Sequence, residues 1–188
     1  MPGKELKTIQ LDSGRTFSVV IHDLLKEDAD CIVNAANGML AHGGGVAAAV
    51  SMAAGRELDR EGRRIVQERG PIPTGEAVVT TAGKLKFKGV IHAVGPLQGE
   101  GNESGKLVKA LKASFLRASE LGWTSLSFPA VSSGIFAVPL PVCARAYIQS
   151  VKEFFVEHPD SSLKVIRLVL YEGPLVDEVL KALTEIFP

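Results

Sequence analysis

The sequence has few cysteines, no excess charge of either sign and no long apolar run, and each lack excludes a class of protein. Its two cysteines, Cys31 and Cys143, form no Cys-x-x-Cys pair, so we interpret both as reduced core thiols of an intracellular protein. Lys and Arg number 21, as do Asp and Glu, which argues against the positive field that attracts nucleic acid. No apolar run approaches the roughly 18 residues of a membrane span, and no signal-peptide pattern begins the chain.

Strand-like and helix-like segments alternate through most of the chain. A hairpin signal at 12–15 joins two strand-like runs, and five further strands and four helical segments follow. The predicted strands are 6–11, 16–21, 31–35, 77–82, 89–94, 124–131 and 163–171, and the predicted helices are 46–69, 106–121, 140–157 and 175–187. Glycines at 55 and 62 are weak points of the first helix. We therefore predict one α/β domain over residues 1–188, a three-layer α/β/α sandwich with a mixed sheet that is parallel in its centre.

Two glycine-bearing loops follow predicted strands, at 43–45 and at 132–136. The first leads from a strand into an Ala- and Val-rich helix, an arrangement that offers backbone N–H groups to an anion. It has no lysine, so it is not a Walker-type loop, and G-x-G-x-x-G is absent. A glycine triplet alone fits a plain tight turn equally well. Two N–H-rich loops on opposite sides of a groove suit a diphosphate better than a single phosphate.

Several side chains beside these loops have both a structural and a functional interpretation. Asn34 and Asn37 could stabilise a turn, or one amide could bind a sugar hydroxyl. Asp23 could cap the next segment or accept a hydrogen bond from an amino group such as that of adenine. Tyr171 could be a core aromatic or could stack on a base. Phe136 could pack against a ribose or wall off the site.

The sequence offers no clear catalytic or metal-binding set. The four histidines show no ligand spacing, so no metal site is predicted. His42, beside the glycines, could meet a ligand or be solvated, and we favour the second. Ser132 and Ser133 do not form a nucleophile elbow and have no evident His or Asp partner.

Four motifs together resemble the macrodomain family: Asn34-Ala-Ala-Asn37, His42-Gly-Gly-Gly-Val46, Ile91-His-Ala-Val-Gly-Pro96 and Phe128-Pro-Ala-Val-Ser-Ser-Gly-Ile-Phe136. The resemblance covers nearly the whole chain in the family's order and spacing. It implies a three-layer fold that binds ADP-ribose, free or attached to proteins, with no cofactor.

Carried over by position, the resemblance implies that Asp23 holds the adenine amine, that Leu24 adds a backbone contact and that Tyr171 stacks on adenine. The two glycine loops would enclose the diphosphate, and Asn37 would contact the distal ribose near Phe136. The implied ligand-binding set is Asp23, Leu24, Ala35, Asn37, Gly43, Gly44, Gly45, Val46, Ser132, Ser133, Gly134, Ile135, Phe136 and Tyr171.

One departure from the family concerns catalysis. Members of one hydrolytic branch carry Asp directly after the valine of the glycine loop, and here that residue is Ala47. Alanine cannot act as a general base, so we expect a module that binds ADP-ribose without cleaving it. The alternative is an ADP-ribosyl hydrolase that frees acidic side chains by a substrate-assisted route around Asn37. A third hypothesis, binding of RNA or poly(A), is disfavoured by the balanced charge.

Within the family, residues 154–171 are similar to the macro-histones, whereas the glycine loop is closer to ADP-ribosyltransferases with tandem macrodomains. We favour the C-terminal module of a macro-histone-type chromatin protein, located in the nucleus. The resemblance then implies as partners ADP-ribosylated proteins, among them automodified poly-ADP-ribose polymerases, and histones or the nucleosome. No membrane and no direct nucleic-acid partner is expected.

Overall fold

The computed structural model describes residues 3–12 and 14–188, which form seven strands and five α-helices. The strands are β1 (Lys4–Asp12), β2 (Arg15–Ile21), β3 (Cys31–Ala36), β4 (Ala77–Thr80), β5 (Gly89–Val94), β6 (Ser125–Phe128) and β7 (Val165–Leu170). The helices are α1 (Gly45–Ala54), α2 (Arg56–Arg69), α3 (Glu103–Glu120), α4 (Leu140–Glu157) and α5 (Pro174–Ile186), and a 3₁₀ turn spans Leu24–Lys26.

The strands form one mixed sheet in the order β1-β2-β7-β6-β3-β5-β4. The five strands from β2 to β5 in this order are parallel, whereas β1 pairs with β2 and β4 pairs with β5 in antiparallel fashion. The prediction of a mixed sheet with a parallel centre is confirmed. The predicted hairpin turn at 12–15 contains Ser13, which lies outside the described residues.

Helices cover both faces of the sheet, which explains why every residue of β5 is buried. On one face α3, α4 and α5 enclose the larger core, in which the rings of Phe115, Phe128, Tyr147 and Phe154 meet edge to face. On the other face α1 and α2 pack a smaller core against the sheet. In the described residues, no helix combines the length and the apolar content that a membrane span requires.

Glycine and proline explain two places at which the structure departs from the predicted segments. The predicted helix 46–69 is two helices, because Gly55 adopts φ +86° between them. Gly62 stays inside α2, buried where an added Cβ would touch Leu40. The predicted strand 124–131 ends at Phe128, since Pro129 has no N–H to continue the ladder. The next residues therefore turn over the sheet edge and begin the second glycine loop.

Candidate functional site

A cleft of about 480 Å³ lies where the loops after β3, β6 and β7 meet at the carboxyl edge of the sheet. Ligands of open α/β sheets bind at this edge. Every residue of the predicted set except Asp23 and Leu24 lines the cleft, and those two line a small depression beside it, which Val46 and Tyr171 share. The other lining residues are Ala36, Ala41, Ala47, Ala130 and Val131.

The first glycine loop presents its main chain to the cleft. Gly44 is extended at φ −170°, and Gly45 turns to φ +57°, which favours glycine, as α1 begins. Among the described residues, the N–H groups of residues 43–47 have no hydrogen-bond partner, and the first amide bonded back to the loop is that of Ala48, to the Gly44 carbonyl at 3.2 Å. A helix start with free N–H groups attracts an anion.

The second loop, residues 132–136, is held between two residues in the left-handed region. Ser132 adopts φ +66° and Ala137 φ +56°, conformations that cost about 1–3 kcal/mol each and persist where the surrounding structure imposes them. The Val138 N–H donates to the Ser132 carbonyl at 3.0 Å and closes the loop. Within the described part of the chain, the N–H groups of residues 134–136 are unpaired.

The two loops meet across the cleft through Ile135. Its side chain is 77% exposed, and its Cδ1 lies 3.1 Å from the position that a Cβ on Gly44 would occupy. Glycine at that place keeps a narrow passage open between two rows of free amide donors. The arrangement suits an extended anion with several oxygens, such as a diphosphate.

Asp23 and Tyr171 lie together in the depression beside one end of the cleft, and Tyr171 also lines the cleft itself. Asp23 Oδ1 accepts a hydrogen bond from the Leu25 N–H at 3.0 Å, so the capping interpretation holds for that oxygen. Asp23 Oδ2 is 3.6 Å from Lys26 Nζ in an ion pair exposed to solvent. Tyr171 is 70% exposed, so its interpretation as a core aromatic is wrong, and its ring is free to stack on a planar group.

A buried carboxylate beneath this end was not predicted. Glu27 is 1% exposed and accepts hydrogen bonds from Arg167 Nε at 2.6 Å, Ser127 Oγ at 2.7 Å and His22 Nδ1 at 2.7 Å. Burial alone would raise the pKa of Glu27, but the hydrogen bonds from Arg167, Ser127 and His22 outweigh it and hold the pKa below its ordinary value. Glu27 thereby fixes the turn that carries Asp23 to β6, to β7 and to His22, the residue directly after β2.

Asn37 lines the cleft but uses most of its amide to fold its own turn. Its Oδ1 accepts from the N–H groups of Met39 and Ala41, both at 3.1 Å, and its Nδ2 donates to the Ala41 carbonyl at 2.7 Å. The turn interpretation is therefore correct for Asn37, which keeps one N–H for a ligand. Asn34 is fully buried and lies outside the cleft, where its Nδ2 is 3.0 Å from His92 Nδ1.

The predicted solvent exposure of His42 is wrong, since its side chain is 3% exposed. Its ring stacks on that of His92 with centroids 5.3 Å apart. Burial lowers the pKa of His42, and burial together with the neighbouring His42 lowers the pKa of His92 to about 3. Both rings are therefore neutral at pH 7. A histidine at the centre of the otherwise apolar run 90–94 was the signal in the sequence for this pair.

The cleft has donors but little capacity for proton transfer. Among the described residues that line it there is no Asp, Glu, His, Lys or Cys, and the buried Ala47 occupies the place after Val46. Ser133 Oγ donates a hydrogen bond to the Ala130 carbonyl at 2.8 Å, and Ser132 Oγ is buried without a hydrogen-bond partner. The geometry thus supports binding of an anion more directly than general acid–base chemistry.

Comparisons with known proteins agree with this geometry. A model of the Macro domain family matches residues 33–147. An uncharacterized protein of Thermotoga maritima is 48% identical over 157 residues, which are 82% of this chain and 26% of that protein; the chain thus spans about a quarter of that relative. A Cronobacter sakazakii protein named O-acetyl-ADP-ribose deacetylase is 38% identical over 162 residues, 85% of this chain and 88% of that protein.

Two solved structures share the fold. An Oceanobacillus iheyensis macrodomain with ADP has a TM-score of 0.86 at 27% identity, over 96% of both chains. A Trypanosoma brucei macrodomain in complex with ADP-ribose has a TM-score of 0.76 at 26% identity, over 89% of this chain and 68% of that one.

Proposed function

Because the chain belongs to the Macro domain family, we propose that it binds ADP-ribose and does not turn it over. The observation that carries the proposal is the cleft between two loops of unpaired amide donors, with no Asp, Glu, His, Lys or Cys among the described residues that line it. Solved relatives of the same fold contain ADP and ADP-ribose.

In this proposal each part of the ligand has a place in the cleft or in the depression beside it. The diphosphate lies between residues 43–46 and 132–136, the adenine lies between Asp23 and Tyr171, and the distal ribose lies beside Asn37 and Phe136. Hydrogen bonds from amides to a charged group contribute about 1.5–3 kcal/mol each, and the start of α1 adds about 0.3–1 kcal/mol. A cleft of about 480 Å³ is within the range of small-molecule sites.

The test is a calorimetric titration with ADP-ribose, AMP and NAD. We expect stoichiometric binding of ADP-ribose, and we expect Asp23→Ala to weaken it by about 1.5–3 kcal/mol, the contribution of a charged hydrogen bond. Asp28→Ala is the matched control, because Asp28 is an exposed carboxylate on the same segment. Absence of heat with a folded wild-type sample would refute the proposal.

A second candidate is hydrolysis, which the name of the Cronobacter relative favours. Here the chain would remove mono-ADP-ribose from acidic side chains, with the ligand itself assisting and Asn37 orienting the distal ribose. Incubation with an automodified transferase decides between the two, with loss of a label on ADP-ribose as the readout. A label that persists at an excess of protein excludes hydrolysis, and a loss that disappears in Asn37→Ala supports it.

The narrower predictions about context remain predictions. They place the domain in a nuclear chromatin protein of macro-histone type, with ADP-ribosylated proteins, automodified polymerases or histones as partners.

Competition of ADP-ribose against labelled RNA tests the third hypothesis, in which the same cleft binds nucleic acid.

A further inference from the structure

The first glycine loop has little backbone support of its own. In the described structure, no main-chain hydrogen bond is made by the N–H groups of residues 42–47. Residues 43–45 are glycines without side chains, whereas Val46 and Ala47 after them belong to α1, where Val46 packs against the smaller core and Ala47 is buried. On the N-terminal side of the glycines, the segment is held in the protein interior by the His42 side chain, which is 3% exposed.

The His42 side chain contacts three elements at once. Its ring stacks on His92 of β5, its Nδ1 lies 3.4 Å from Asn34 Nδ2 of β3, and its Nε2 lies 3.9 Å from Asp59 Oδ1 of α2. Asp59 in turn accepts a hydrogen bond from Ser51 Oγ of α1 at 2.8 Å. The residue before the glycines is thus attached to the sheet and to the helix layer that α1 belongs to.

The hydrogen positions in this series of contacts are assigned from Thr80, which lies at the opposite end of the series from Asp59. Thr80 Oγ1 lies 3.0 Å from the Thr81 carbonyl and 2.8 Å from His92 Nε2, and with its hydrogen directed to the carbonyl it accepts from His92 Nε2. His92 Nδ1 then carries no proton and accepts from Asn34 Nδ2, whose second N–H is directed to His42 Nδ1. His42 consequently bears its proton on Nε2, toward Asp59. Each group in the series fixes the orientation of the next.

This series of polar contacts from Thr80 to Asp59, here called the polar chain, is poorly explained as a contribution to the stability of the fold. Asn34 Oδ1 and His42 Nε2 are both buried without a hydrogen-bond partner, and such groups destabilise a core. Apolar side chains of similar shape would fill the same space without that cost.

We infer that His42 is a positioning residue. It holds the first glycine loop in the position in which the amide groups of the loop face the diphosphate. The inference rests on the proposed binding of ADP-ribose. Its consequence is selective: loosening the loop weakens contacts with the diphosphate and the distal ribose, whereas contacts of adenine with Asp23 and Tyr171 persist.

The experiment measures the ratio of the dissociation constants for AMP and ADP-ribose. His42→Phe keeps a ring stacked on His92 and removes the polar contacts, and we expect it to weaken ADP-ribose about tenfold or more, the low end of the effect of one charged hydrogen bond, and AMP far less. His42→Gln, which restores an acceptor for the Asn34 N–H, is expected to recover most of the ratio. Val151→Ala, at a fully buried position of α4, is the control for lost stability and should leave the ratio unchanged.

A second variant acts at the opposite end of the polar chain. Thr80→Val removes the acceptor of the His92 Nε2–H without touching the loop, and we expect it to lower the same ratio in the same direction, so it carries the test if His42→Phe does not fold. An unchanged ratio in both folded variants, or equal loss of AMP and ADP-ribose, would overturn the inference. Wild-type protein that binds neither ligand would instead refute the proposed function.

Discussion

Replacement of Glu27 by Gln removes one charge from a buried site and keeps the shape of the side chain. The carboxylate is 1% exposed and accepts hydrogen bonds from Arg167, Ser127 and His22. Deleting one partner of a buried ion pair costs about 3–5 kcal/mol. Glutamine keeps one acceptor oxygen, and Arg167 is 24% exposed and can be partly hydrated. We therefore expect a loss of about 2–4 kcal/mol in the free energy of unfolding at pH 7.

Urea denaturation at pH 7 measures this loss, with an expected decrease of about 1–2 M in the midpoint. Asp28→Asn neutralises the adjacent exposed carboxylate and is the matched control, expected to stay within about 0.5 kcal/mol of wild type. Ser127→Ala removes one donor and leaves the ion pair, so its effect should lie between the two. Equal stability of Glu27→Gln and Asp28→Asn would refute a stabilising role for the buried charge of Glu27.

The same variant has a defined pH dependence. The pKa of Glu27 in the folded protein lies below its ordinary value of 4.5, because the hydrogen bonds outweigh burial. The stabilising contribution is therefore fully present above pH 4.5 and is lost as the pH falls through the folded pKa. The difference in stability between wild type and Glu27→Gln should narrow below pH 4.5, and a constant difference down to pH 3 would contradict the assignment.

Three further predictions concern the cleft and the thiols. Tyr171→Ala should weaken ADP-ribose by about 1–3 kcal/mol and Tyr171→Phe much less, because the ring stacks; equal effects in calorimetry would contradict stacking. Gly44→Glu should fold, since φ −170° suits any residue, yet abolish binding by filling the passage, whereas Gly43→Ala, whose Cβ meets nothing within 4 Å, should bind normally. Burial raises the pKa of Cys31 and raises that of Cys143 to about 11, so both thiols should resist a disulfide reagent at pH 8 until the protein unfolds; rapid labelling of the folded protein would refute this.

The strands, the helices and the two loops could be predicted because local patterns determine them. Apolar runs bounded by Gly and Pro place the strands, and parallel strands bring the loops after them to one edge. Even the division of the first helix was visible, since Gly55 interrupts it.

The buried polar contacts were not predictable in the same way, because they join residues distant in sequence. Asn34 and His92 are partners in the register of β3 and β5, and Ser127 and Arg167 are partners in that of β6 and β7. Only the sheet order places these side chains together. The sequence did contain a sign of each, a histidine and an arginine inside otherwise apolar strands, but not the identity of their partners.

The donors that face the cleft from residues 43–47 and 134–136 belong to the main chain, which changes how this site can vary. Amide groups do not titrate, so the affinity for a diphosphate should be constant across the pH range in which the protein stays folded. Replacing a side chain by alanine leaves these donors in place, and a scan of that kind would pass over the strongest part of the site. Substitutions of side chains can therefore change which groups are preferred at the two ends of the ligand. The main-chain contacts with the diphosphate are retained as long as the fold is retained.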